Sequence, residues 1–343
     1  MEEKLSRHEY STLLEGSETE GKTLSERVTI KSIAKDLGIS HMTVSRALSN
    51  HPNVHKDTRD TIIKRAKELG YVKSAAAKAM RGDATQIVGL LLPNIVNEFY
   101  ARFANSMAQA CEEHSLHLLI HLTNDDIEQE RQALDRLREV QAMAVVMVPS
   151  PDGEDPAEQN VSGMKVIQLI RQRRSDTPTA AILVDDHDAI RDAVVYLAQH
   201  GHRTIGYIGA NSELSSGRER LKAYLDGLEQ AGLTGNPELV HTDAPSFEMG
   251  QACAKKLLDA GLATGIVCGG VEISNGALSA LMDCGLQPGK DFAFVGYGDP
   301  SFYAWVGGGI STVRLPVERL AYQAVELLGM NWETCLEQEQ GIR

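Results

Sequence analysis

The sequence predicts a small all-α headpiece joined to a larger, two-lobed α/β body built from two doubly wound parallel sheets. Three observations carry this. Apolar residues recur at helical spacing through residues 28–70, punctuated by Gly38 and Gly70. From Gln86 onward, short continuous apolar runs of the kind buried on both faces of a parallel sheet alternate with helical stretches. The charge divides at the same boundary. Residues 28–82 carry 11 Lys and Arg against 4 Asp and Glu, a local +7, whereas the 343-residue chain as a whole is at -13. A compact basic block on an acidic body suits one part to a polyanion and the larger part to something else.

Residues 1–27 are polar and acidic without a sustained apolar period, and read as a mobile extension. Within them Gly16-Ser-Glu-Thr-Glu-Gly-Lys-Thr23 matches the phosphate-loop pattern, and Ala180-Ala-Ile-Leu-Val-Asp-Asp186 resembles the strand-end aspartate that holds magnesium in such proteins. A P-loop ATPase coupled to DNA is therefore the alternative reading. The context opposes it: no buried strand precedes the loop, and Glu18 and Glu20 would repel the phosphates that its amides should cradle.

Residues 28–70 read as three short helices. Thr29 caps the first, with Ile30, Ile33, Ala34 and Leu37 inward, and Gly38 supplies the turn. Ser40 caps the second, His41 to about Leu48, with Val44, Ala47 and Leu48 inward. The third runs from about Asp57 to Leu69, burying Ile62, Ile63, Ala66 and Leu69. Two helices around a Gly-containing turn, the second with a polar outer face, make a helix-turn-helix. A self-repelling +7 block gains from DNA what a plain helical bundle would not. Residues 71–84 form a link in which Ser74 caps seven residues ended by Gly82, too short for a helix alone in water.

The body, 85–343, reads as lobes at about 85–184 and 185–310, crossing back near 311–328. Strands are expected at 87–92, 116–122, 142–148, 166–170, 181–184, 204–209, 265–268 and 292–296, with helices between them. Two doubly wound units in sequence imply a cleft where strand carboxyl ends meet.

The run Val28-Thr-Ile-Lys-Ser-Ile-Ala-Lys-Asp-Leu-Gly-Ile-Ser-His-Met-Thr-Val-Ser-Arg-Ala-Leu-Ser-Asn50, with Thr58-Arg59 and Glu68-Leu-Gly-Tyr71, resembles the headpiece of the lactose/galactose repressor family (LacI/GalR). The body resembles the periplasmic-binding-protein fold that this family uses to sense effectors. Asn94–Tyr100, His200–Arg203, Ser216–Leu221 and Val295–Asp299 are the signposts. The resemblance implies a cytoplasmic, homodimeric transcription regulator, not an enzyme, without cofactor or metal, whose partners are operator DNA and a small-molecule effector. It places His41, Met42 and Arg46 against base edges, and Thr29, Ser40, Thr43, Ser45 and Thr58 on the operator as well, mainly at phosphates. It makes residues 74–82 a hinge helix that folds on DNA, with Met80 as its minor-groove wedge. It assigns Phe99, Tyr100, Arg220 and Asp299 to the effector.

Departures shape the effector expectation. Gly298-Asp299 and Gly270-Val271 stand where the family carries more carboxylates. With Arg220 retained, the pocket is expected to favour a sugar acid or phosphosugar over a plain sugar. The polar stretch 329–343 stands where the family adds a last pair of strands, so an open sheet edge in the second lobe or a truncated chain is expected. Five scattered cysteines without a CxxC pair fit a reducing compartment. His117 and His121, on one face of a strand, would stand about 13 Å apart, too far to share an ion. No apolar run reaches the roughly 20 residues of a membrane helix.

Overall fold

The computed structural model describes residues 28–71, 85–151, 161–175 and 177–330. The extension with its phosphate-loop match at 16–23, the expected hinge helix at 74–82 with Met80, and residues 331–343 lie outside them. The chain divides into two units, Met1–Ala77 and Lys78–Arg343.

In the first unit, α1 spans Ile30–Leu37, α2 His41–Leu48 and α3 Lys56–Glu68. Thr29 and Ser32 form a reciprocal capping box at the start of α1. Gly38 ends that helix at φ +65°, a left-handed conformation that costs glycine nothing. Ser40 caps α2 by accepting the Thr43 amide at 3.1 Å. Ile33, Ala34, Val44, Ala47, Val54, Ile62 and Ala66 form the core. Ile63, expected inside, is 46% exposed. It follows Ile62 directly, and adjacent helical residues point about 100° apart, so only one of the pair can face a core this small. Arg65 ties α3 to α1 through Asp36 at 2.6 Å, and that contact holds the Asp36 carboxyl below its usual pKa.

The second unit is two α/β lobes. In lobe 1, β1 (Ile87–Leu92), α4 (Glu98–Glu113), β2 (His117–Leu122), α5 (Ile127–Glu139), β3 (Ala144–Met147), β4 (Lys165–Leu169) and β5 (Thr179–Ile182) follow in turn. They give a parallel sheet of order β2-β1-β3-β4-β5. Lobe 2 runs α6 (His187–Gln199), β6 (Ile205–Ala210), α7 (Ser215–Gln230), β7 (Val240–Asp243), α8 (Phe247–Asp259), β8 (Gly265–Cys268), α9 (Val271–Asp283), β9 (Ala293–Tyr297) and β10 (Thr312–Val313). Its parallel sheet has the order β10-β9-β8-β6-β7. The last described helix, α10 (Val317–Gly329), returns to lobe 1 and packs on α4. Arg102 of α4 holds Glu318 at 2.7 Å, and Tyr322 donates to Glu113 at 3.1 Å.

Two details shape the cleft. A Cβ on Gly217 would stand 2.1 Å from the Asn211 carbonyl oxygen. Only glycine therefore lets α7 start so tightly against the end of β6, which sets the position of Arg220 one turn later. At the end of β4, Ile170 adopts φ +66°, and the Arg171 amide donates to the Leu169 carbonyl at 2.7 Å. This is a γ-turn of the strained, positive-φ hand on a β-branched residue, and it swings the chain sharply out of the sheet.

Candidate functional site

Two surfaces can carry chemistry, one in each unit. On the first, the capped N-terminus of α2 holds its outer face rigid. His41, Met42 and Arg46 are all exposed there, Met42 at 53%. Among the described residues no side-chain hydrogen bond or ion pair engages Arg46, so its whole donor fork is available. The Ser40 and Thr43 hydroxyls lie 2.9 Å apart at the helix start, where the amides of the first turn favour an anion. Thr29 and Thr58 are exposed and Ser45 is half-exposed. Arg59 is used differently: it donates to the carbonyls of His51 at 2.9 Å and Val54 at 3.1 Å, bracing the α2–α3 connection. Lys31, Lys35, Lys56, Lys64 and Lys67 are exposed on the surface.

The second surface is the cleft between the lobes. Arg220 is 7% exposed there. Its Nε donates to Asp186 Oδ2 at 2.7 Å and its Nη1 to the Gly269 carbonyl at 3.0 Å. Its Cζ lies 4.1 Å from the centre of the Tyr297 ring. The Tyr297 hydroxyl donates to the same Asp186 oxygen. Burial opposes the Arg220 charge, but Tyr297 and Asp186 outweigh it and hold the proton more tightly than usual. Burial likewise pushes the Tyr297 hydroxyl well above its ordinary pKa. The Arg220 Nη2 has no protein partner among the described residues.

Arg220 lines an inner cavity of about 100 Å³ together with Phe99, Tyr100, Asp125, Arg171 and Glu272. Asn97 caps α4 by accepting the Phe99 amide at 3.0 Å, which brings two rings to the cavity at the start of that helix. Phe99 and Tyr100 meet edge to face at 5.4 Å. Asp125 pairs with Arg171. Burial, and then repulsion from Glu248, raises the Glu272 carboxyl.

Three of the four residues expected at the effector are thus brought together: Phe99, Tyr100 and Arg220. Asp299 is not among the residues lining this cavity. Its carboxylate is spent on Arg102 at 3.0 Å and Arg314 at 3.0 Å, beside the return of the chain to lobe 1. The expected shortage of carboxylates also needs correction. Glu272, two residues past Gly270, and Asp125 both line the inner cavity opposite its arginines. Asp186, weighed as a magnesium ligand, is committed to Arg220 and Tyr297. Sequence reasoning missed Asp125, Arg171, Asp186, Glu272 and Tyr297. Only Asp186, directly after an apolar run, gave a local signal, and it was read for a different chemistry.

Among the described residues no group of three or more His, Cys, Asp or Glu gathers in a metal-holding arrangement, and no helix is long and apolar enough to cross a membrane.

A profile described as periplasmic binding protein-like domain matches residues 194–331. GalR, a helix-turn-helix transcriptional regulator of Escherichia coli (strain K12), is 29% identical over 304 residues, covering 87% of this chain and 88% of its own. The lac repressor dimer bound to operator and the anti-inducer ONPF superposes with a TM-score of 0.76 at 20% identity, over 92% of this chain and 94% of that one. The transcriptional regulator CelR in complex with cellobiose superposes at 0.64 with 24% identity, over 92% and 94%. A profile described as bacterial regulatory proteins, lacI family, matches residues 29–74, the span of the exposed α2 face, so the chain carries a LacI-family helix-turn-helix domain ahead of a periplasmic-binding-protein-like domain.

Proposed function

We propose that the protein represses its target genes as a homodimer on a palindromic operator, and that a sugar, sugar acid or phosphosugar entering the cleft changes its grip. The two matched domains, and relatives that are transcriptional regulators, support a DNA-binding transcriptional regulator rather than an enzyme. The observation that carries the reading is that one chain holds both an unpaired arginine on a braced, exposed helix face and a partly satisfied arginine in an interlobe cavity.

In this reading His41, Met42 and Arg46 meet base edges in the major groove, with Arg46 placed to donate two hydrogen bonds to a guanine. Thr29, Ser40, Thr43, Ser45 and Thr58 fix the register on phosphates and sugars. Phe99 and Tyr100 stack on the effector ring, and the free Arg220 nitrogen grips one of its oxygens. The cellobiose held by CelR, a protein of the same fold, makes a carbohydrate the first ligand to try. The edge strand β2 leaves Leu119, Ile120 and Leu122 at 38–46% exposure, an apolar strip suited to a second copy of the chain. A DNA-binding role, and four cysteines that are free among the described residues, support a cytoplasmic location. Linkage supplies the mechanism: an effector that prefers one arrangement of the lobes changes operator affinity by the factor by which operator changes effector affinity.

The test is selection of duplexes from a random pool by the full-length protein, followed by titration with a panel of sugars, sugar acids and phosphosugars. Inverted repeats whose affinity shifts about fivefold or more with one panel member are expected. Selection of unpaired single sites, or an affinity indifferent to the whole panel, overturns the reading. The ATPase alternative draws no support from the family. It would return only if the wild type bound ATP and Lys22→Ala abolished that binding.

A further inference from the structure

The strained turn at Ile170 launches a run of three arginines in four residues, Arg171-Gln-Arg-Arg174, and the site described above uses only the first. The run lines a recess of about 380 Å³ next to the inner cavity, closed from lobe 2 by Arg218. A second recess of about 640 Å³ shares Arg174 and Arg218 with it, and shares Ile170 and Arg220 with the inner cavity. The three spaces therefore adjoin along one cleft.

The charges in the recess are unevenly compensated. Arg171 is paired with Asp125, and Arg173 with Glu130, a carboxylate only 1% exposed. Among the described residues neither Arg174 nor Arg218 has a carboxylate partner. Arg218 donates only to the carbonyls of Ser212 at 2.8 Å and Glu213 at 3.0 Å. Among the described residues, Glu213 is the one acidic side chain that lines the recess. Donors are also left over: the Nε groups of Arg171 and Arg173 and the hydroxyl of Ser150 are buried without a hydrogen-bond partner. Arg171 and Ser150 are 5% and 3% exposed, and both line the recess. Buried donors are rarely left unmet without a reason.

The run is also held firmly. Gln168 accepts the Arg173 amide at 2.6 Å and donates to its carbonyl at 3.0 Å. The Gln172 amide donates to Ser215 Oγ at 2.8 Å, across the lobes. Strain at Ile170 and a buried Glu130 are costs that a mere surface loop would not need.

We propose that this recess binds a small oxyanion, a phosphate or carboxylate group, between Arg174 of lobe 1 and Arg218 of lobe 2. The proposal rests on reading the cleft as the effector site and deepens it. The inner cavity, where carboxylates oppose its arginines, takes the neutral part of a ligand, and the arginine recess takes an anionic end. The two cations repel across the cleft when it is empty of anion, and a shared oxyanion with several lone pairs bridges them and favours closure. The oxyanion has two possible sources, an anionic group on the effector or a free inorganic anion.

Equilibrium dialysis of the full-length protein against labelled inorganic phosphate, with ionic strength fixed by chloride, tests the site. One saturable site per chain is expected, weakened at least tenfold in Arg174→Ala/Arg218→Ala. Both side chains are exposed, so the variant should melt as the wild type does, and melting is the control. Hexoses and their phosphates are then titrated in parallel. If the anion belongs to the effector, a hexose phosphate binds at least tenfold tighter than its parent hexose, and that advantage disappears in the double variant. If it is free, phosphate and the hexose bind together, and a hexose phosphate gains nothing over its parent hexose. Phosphate binding that does not saturate above chloride, or that is equal in the double variant, overturns the proposal. Phosphate binding that is lost in the double variant while no panel compound alters operator affinity sinks the effector reading and leaves the anion site standing.

Discussion

Arg46 and Arg220 are the same side chain used in opposite ways. Arg46 stands exposed on α2 with no side-chain partner among the described residues, and its helix is held by caps and a small apolar core. Arg220 is buried, shares its charge with Asp186 and Tyr297, and keeps one nitrogen in reserve. An exposed donor fork can be removed with little damage to the fold. A buried one is both part of the architecture and part of the site, so any change to it acts on stability and recognition together.

The largest expected effect breaks that contrast at its buried end. Asp186→Ala strips the main counter-charge from Arg220 and should cost about 3–5 kcal/mol of stability, read by chemical denaturation of the full chain. Arg220→Ala should abolish the effector response and also destabilise the body. A loss below about 1 kcal/mol in either variant would place the buried arginine in the same class as Arg46.

Arg46→Ala should leave the melting temperature unchanged and cost about 1–3 kcal/mol of operator binding, with specificity relaxed at one base pair, read by fluorescence anisotropy on single-base variants of the selected site. Unchanged discrimination at every position would move the base-reading face elsewhere. Ser40→Ala should be intermediate in kind, because its oxygen caps α2. It should lose about 1 kcal/mol of headpiece stability, and with it some operator affinity that returns when the helix is stabilised at another position.

The smallest effect concerns pH. A folded-state Glu272 that holds its proton more tightly than the unfolded chain does makes stability fall as pH rises from the ordinary carboxylate range through its raised pKa. Glu272→Gln should flatten that part of a melting-temperature profile. An identical slope in the variant would assign the dependence to another group.

The local half of this protein was legible in its sequence. The caps Thr29 and Ser40, the Gly38 turn and strands such as 87–92 and 265–268 depend on neighbours within a few residues, and they stand where periodicity put them. Strand β7 was missed because Val240-His-Thr-Asp243 is a polar edge strand with no apolar run. The Arg220 site was half legible. Its arginine and aromatics carry a family pattern, but Asp186 and Tyr297 come together across 111 residues, and nothing local to either foretells the contact. For Asp299 the hidden part was its partner: its position beyond a strand resembles a ligand contact, while Arg102, which it holds, lies 197 residues away.

The return of α10 to lobe 1 bears on how the chain comes off the ribosome. Residues 85–182 contain every strand of the first sheet, yet the face of α4 bearing Phe103 and Met107 joins a core completed by Leu320, Ala324 and Leu328. The Arg102–Glu318 contact spans 216 positions. Lobe 1 therefore cannot finish folding as it emerges, but must wait until all of lobe 2 has been synthesised, with an apolar helix face uncovered in the interval. Contacts of such long range slow folding and leave nascent chains open to aggregation. A nascent chain arrested near residue 310 would accordingly be a better chaperone client than one released after residue 329.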